Sequence, residues 1–158
     1  MIFKAAPMSR AIKVVTAGVL ALALAFVAGG LLEKHLPLAG LFVGLVALVC
    51  YLLTPVAYDT TGAQLTVLLR AGKKSFGPIT GAAPLTGRWP CTLRLFGNGG
   101  LFAGTGIYWN KPCGLFHAYL TSARRQDAIL VTTDTCKVMI SPEDPQAFLD
   151  AVPTAEKN

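Results

Sequence analysis

Histidine is almost missing from this chain, with two residues in 158, and acid is scarce, with eight Asp and Glu against fourteen Lys and Arg. Beyond residue 58, His117 is the only imidazole. A hydrolytic centre needs a nucleophile, a base and an orienting group together. Ser75, Ser122 and Ser141 stand in no GxSxG context, and Asp134, Asp144 and Asp150 fall in turn or helix-start patterns. The expectation is therefore a non-enzyme. Cysteine is also sparse: Cys50, Cys91, Cys113 and Cys136, with no CxxC. A zinc site wants four converging ligands, usually including such a pair. Cys113 and His117, four apart on a strand, would share a face yet lie about 13 Å apart. No metal and no cofactor is expected. The alternative is a metal- or thiol-dependent enzyme using Cys113, His117 and Cys136.

The glycines at 97, 99, 100, 104 and 106 do not complete a phosphate loop. Phe102 and Trp109 occupy the third-glycine positions of GxGxxG, and no GK[ST] follows. Turning and strand bending explain them. No period of 20–50 residues repeats. The net charge of +6 is spread along the chain and leaves no dense basic face, which excludes a nucleic-acid binder.

Charge is missing altogether from two stretches, residues 14–32 and 36–57, separated only by Glu33, Lys34 and His35. As helices they would reach about 28–33 Å each, the thickness of a bilayer's hydrocarbon core. So short a link makes them antiparallel. The reading is a basic cytoplasmic tail (1–13), a transmembrane hairpin (14–57), a soluble domain (58–152) and a tail (153–158). A signal peptide competes for the first stretch, with small residues near 25–28. A second span three residues later argues against cleavage. Lys4, Arg10 and Lys13 precede the hairpin and Arg70, Lys73 and Lys74 follow it. This bias puts both termini in the cytoplasm, for a multi-pass protein of the bacterial inner membrane. A cytoplasmic domain keeps its thiols reduced. Were it outside, a Cys91–Cys113 or Cys113–Cys136 bridge would be expected.

Ala17, Ala21, Ala25 and Gly29 form a small-residue ridge, and Gly40 and Gly44 a GxxxG, both suited to close helix packing within the hairpin, with a second copy or with another membrane protein. Tyr51 and Tyr58 suit the cytoplasmic boundary. Past residue 59 the pattern turns to short strands, at 65–70, 75–80, 91–96, 102–109, 115–121, 128–132 and 136–140. Residues 81–90 and 97–100 read as loop and turn. Trp89, Phe96, Phe102, Tyr108, Trp109, Phe116 and Tyr119 are expected to build core and strand faces, a subset lining a groove. Ser141 as cap and Pro142 at the first position open a closing helix, with Phe148, Ala151 and Val152 on its apolar face and Pro153 ending it. Strands followed by one helix is an α+β order.

The segments Arg94-Leu95-Phe96-Gly97-Asn98-Gly99-Gly100-Leu101-Phe102, 106–110, 118–121 and the ISPxDPxxF element at 140–148 resemble the bacterial pleckstrin-homology-like family. The resemblance covers most of residues 56–150. It implies a seven-strand, two-sheet antiparallel β-barrel or sandwich capped by a C-terminal helix, with no assigned catalytic activity. Arg70, Lys73 and Lys74, and separately Arg124 and Arg125, are candidate contacts for lipid head groups beside a tethered domain. The expected role is a docking or scaffold element. Its partners would be membrane lipid and another membrane protein or itself, with no nucleic acid.

Overall fold

The computed structural model describes residues 1–29, 35–85, 92–122 and 124–152. Glu33, Lys34, Trp89, Cys91 and Pro153 lie outside the described residues, as does the side chain of Arg125.

Two apolar helices come first. Helix α1 spans Arg10–Ala28 and is long and apolar enough to cross a membrane by length and composition. Helix α2 spans Leu36–Leu52; it is more apolar but shorter, with Pro37 in its first turn, where a missing N–H costs nothing. The apolar run from 53 to 57 is not helical, because Pro55–Asp59 is strand β2.

The chain before α1 is not a tail throughout. Ile2–Lys4 is strand β1, paired antiparallel with β2. The sheet then runs through β3 (Gln64–Leu69), β4 (Gly72–Pro84), β5 (Thr92–Gly99), β6 (Gly104–Asn110), β7 (Gly114–Leu120), β8 (Ile129–Thr133) and β9 (Lys137–Ile140). The spatial order is β1-β2-β3-β4-β8-β9-β7-β6-β5, so the sheet is open. It is also mixed rather than antiparallel throughout, since β7 and β9 run parallel.

Three expectations shift. Residues 81–84 belong to β4, not to a loop: Ala82 and Ala83 pair with Val131 and Leu130. Long β4 thus serves both halves of the sheet, pairing β3 up to Pro78 and β8 from Ile79 onward, with a register shift where it bends. Gly97, Asn98 and Gly99 likewise belong to β5, and the turn begins at Gly100. Helix α3 is Pro145–Asp150, one Pro later than the sequence suggested. Asp144 caps it by accepting from the Ala147 N–H at 3.0 Å, a better cap geometry than Ser141 offers from within a buried strand end.

The main core lies between β2–β4, β8, β9 and α3. Tyr58, Leu65, Val67, Ile129, Val131, Val138, Ile140 and Phe148 are fully buried there. A smaller cluster on the other face of β7 holds Phe116, Ala118 and Met139, with Tyr108 packed against it.

Candidate interaction site where the helices meet the domain

The two strands that flank the helices are neighbours. Because β1 leads into α1 and β2 leaves α2, both helix feet enter the domain side by side. The first foot is tied further: the Ala6 N–H donates to the Ser141 carbonyl at 2.8 Å, Ser9 N–H to Thr121 at 3.3 Å, and Glu143 N–H to Lys4 at 2.8 Å. At the second, the Arg70 and Ala71 N–H groups donate to the carbonyls of Thr54 and Leu52.

A buried polar knot fixes the first foot. The Tyr58 hydroxyl donates to the Tyr119 carbonyl at 2.7 Å and accepts from the Ser141 N–H at 3.2 Å. Ser141 Oγ accepts from the Thr121 N–H at 2.9 Å, and Thr121 Oγ1 donates to the Ala6 carbonyl at 2.5 Å. Burial pushes the Tyr58 phenol up to about 12, opposed by its hydrogen bonds with Ser141. Desolvation favours the neutral form of an acid, so this tyrosine stays protonated.

The β5–β6 connection makes the third tie. Asn98 Oδ1 accepts from the N–H groups of Gly100 and Leu101, and its amide donates to the Leu101 carbonyl. The loop so held places Phe102, at φ 62°, between the helices. Its N–H donates to Thr16 Oγ1 on α1 at 2.9 Å, and its ring meets Tyr51 of α2 edge-on at 5.2 Å. Gly97 and Gly106 face each other below this loop; a Cβ on either would come within about 2.2 Å of a backbone oxygen across the pair. Only glycine permits that approach at these positive φ angles. The glycine-rich segment is therefore a joint, with Phe102 as its tongue, a role the sequence reading missed. Its signal was an aromatic placed directly after a strong turn.

The candidate basic residues do not form one cluster. Arg70 lies 4.5 Å over the Tyr51 ring at the foot of α2. Lys73 and Lys74 sit exposed at the β3–β4 turn, with Lys74 5.5 Å from the Phe76 ring. Arg124 is exposed in the β7–β8 connection, its N–H donating to Ser122 Oγ.

The helix-packing residues also divide. Gly40 meets the helix partner: a Cβ there would touch Val27 Cγ2 and the Ala23 carbonyl at 2.8–2.9 Å. Gly29 faces Leu36, but Gly44 has open space. Ala17, Ala21 and Ala25 are exposed, and the inward residues of α1 are Ile12, Thr16 and Ala23. The wider side chains win the contact at the foot because the domain loop, not α2 alone, packs on that face.

Beside α2 a groove of about 610 Å³ opens, lined by Cys50 of α2, Leu53 just past its end, Leu69, Lys74, and the Phe96–Ile107–His117 row of β5–β7. His117 is lowered from its ordinary value by burial first and by the Lys74 charge second, so it is neutral at pH 7. Its ring lies 5.6 Å from Phe76. Cys136 packs on the main core and Cys113 on the smaller cluster across the sheet, so the three residues of the metal or thiol alternative are not brought together. Among the described residues no three His, Cys, Asp or Glu side chains converge.

No curated protein and no solved structure matches this chain. The family model described as Bacterial PH domain matches residues 58–155, from the second strand past the closing helix. The match spans more than half of the sequence and the whole sheet from Tyr58 onward, and the chain belongs to the bacterial PH domain family.

Proposed function

We propose that this protein is a non-catalytic, membrane-anchored PH-type module. In this reading α1 and α2 form a hairpin in the inner membrane, with both termini cytoplasmic. The domain serves as a docking element for a membrane partner or for the lipid surface.

One observation carries the proposal: the domain is held to both apolar helices at once, through adjacent strands and through Phe102. A domain on a flexible linker would sample many orientations. Here three separate ties fix one orientation of the sheet to the helices, which is what presenting a surface at a membrane requires. The exposed leucines and valines along α1 and α2 suit lipid rather than water. Arg70 at the foot of α2 and the exposed Arg124 of the β7–β8 connection suit anionic head groups.

The test is topological. A reporter active only in the cytoplasm, fused after Asn158, should be active, and the full chain should stay in the membrane fraction after carbonate washing. A soluble chain, or activity confined to a periplasmic reporter, would reject the reading. Crosslinking in intact membranes, followed by identification of what is attached, then names the partner.

A further inference from the structure

From the structure we infer that the uncovered part of the inner face of β5–β7 lies on the same lipid leaflet that α2 leaves, as a third membrane contact beside the two helices. The inference rests on the membrane reading above and goes beyond it, because it assigns a lipid-contacting surface within the folded domain.

Among the described residues past Val56, every exposed large hydrophobic side chain falls on these three strands: Leu93, Leu95, Phe96, Trp109 and Leu115. Phe96 is 77% exposed. Their register makes them a surface. Leu93 pairs with Trp109, which pairs with Leu115; the next row is Phe96, Ile107 and His117. Side chains two apart on a strand share a face, so both rows look the same way. Leu95 is the extra residue where the register shifts between Arg94 and Phe96. The exposed area is on the order of 600 Å², at the top of what soluble monomers leave in one patch.

Two observations identify the occupant as lipid. The patch is continuous with the helix foot, since Phe96 and Ile107 line the same groove as Cys50 of α2 and Leu53 just past its end. The charge around it has one sign. Between Asp59 and Asp127 the chain has no acidic residue, so the charge of this segment is basic alone, with Lys74 inside the groove, Lys111 in the β6–β7 turn and Arg94 on the opposite face of β5. Apolar side chains with an exposed tryptophan and basic neighbours are the composition of a surface seated at the head-group level of an anionic bilayer. An edge strand in water is normally guarded by charge; β5 offers only Arg94.

The chain has two tryptophans, so Trp89→Phe leaves Trp109 as the sole indole. The full chain carrying this substitution is placed in phosphatidylcholine–phosphatidylglycerol vesicles containing lipid brominated near the head group. Trp109 emission should shift to the blue and lose on the order of half its intensity, more than with lipid brominated near the chain ends. Adding Phe96→Glu at this exposed position should return the emission toward that of a solvent-facing indole while leaving the melting temperature in place.

A second protein, with Trp89→Phe, Trp109→Phe and Phe42→Trp, puts the probe in the middle of α2 and tests the membrane reading by itself. If the α2 probe is quenched and Trp109 is not, the inference fails and the anchor stands. If neither is quenched, the anchor fails as well. A blue-shifted but unquenched Trp109 in a crosslinkable dimer would assign the patch to a second copy, and the inference would again be wrong.

Discussion

Tyr58 and Trp109 are both aromatic side chains with a polar tip on strands of one sheet, and they meet opposite fates. Tyr58 is fully buried, with its hydroxyl bonded on both sides; Trp109 keeps 41% of its surface open. The difference extends to the strands around them. On β2–β4, β8 and β9, α3 covers the inner face and Phe148 fills it. On β5–β7 only part of the inner face is covered, by Phe76 against Tyr119 and His117 and by the foot of α2. The helix-capped half of the sheet holds the fold together, whereas the other half supplies surface. Burial is thus concentrated on one set of strands and exposed apolar surface on another, so each can be perturbed separately.

The largest expected effect is on the capped half. Phe148→Ala should cost about 3–5 kcal/mol in chemical unfolding, because it empties the centre of the main core. Phe96→Ala, on the open half, should change stability by less than about 0.5 kcal/mol. Equal losses at the two positions would erase the distinction. Gly106→Ala comes next, at about 2–3 kcal/mol by the same measurement, because the added methyl meets the Phe96 carbonyl at a positive φ.

Tyr58→Phe should cost about 1–2 kcal/mol by leaving the Tyr119 carbonyl and Ser141 N–H without the hydroxyl. The pH dependence gives a cleaner reading. The folded phenol titrates above its unfolded value of 10, at about 12. The folded state therefore holds its proton longer, and the stability it confers is complete below pH 10 and lost as pH rises from 10 through 12. Tyr58→Phe should abolish that loss. The smallest effect belongs to the groove. His117 titrates below its ordinary 6.5 when folded, so its contribution is present above pH 6.5 and fades as pH falls below that value. His117→Gln should flatten this acid limb while leaving the alkaline one.

Several elements were legible because they depend on near neighbours in the chain. The strands at 65–70, 102–109, 115–121, 128–132 and 136–140 announced themselves by apolar runs between turn residues, and each lies within one or two residues of its expected place, β6 starting two residues late. Residues 81–84 did not, since Gly, Ala and Pro carry weak strand preference and were recruited by pairing with β8, some fifty positions away. Ile2–Lys4 is too short to show periodicity and exists as a strand only because β2 lies beside it. The groove escaped for the same reason: Lys74 and His117 are ordinary strand residues until the sheet folds one towards the other.

Local chemistry suffices for the two uncharged runs, the alternation of short strands with turns, and the family motif at 94–102 and 140–148, because hydropathy and turn chemistry act over a few residues. It takes the folded arrangement to bring the helix feet in as adjacent strands, to join α1 to α2 through Phe102, and to leave the apolar side chains of β5–β7 uncovered. Each of these depends on which distant segments come into register, and a single α3 six residues long covers only one half of a nine-stranded sheet.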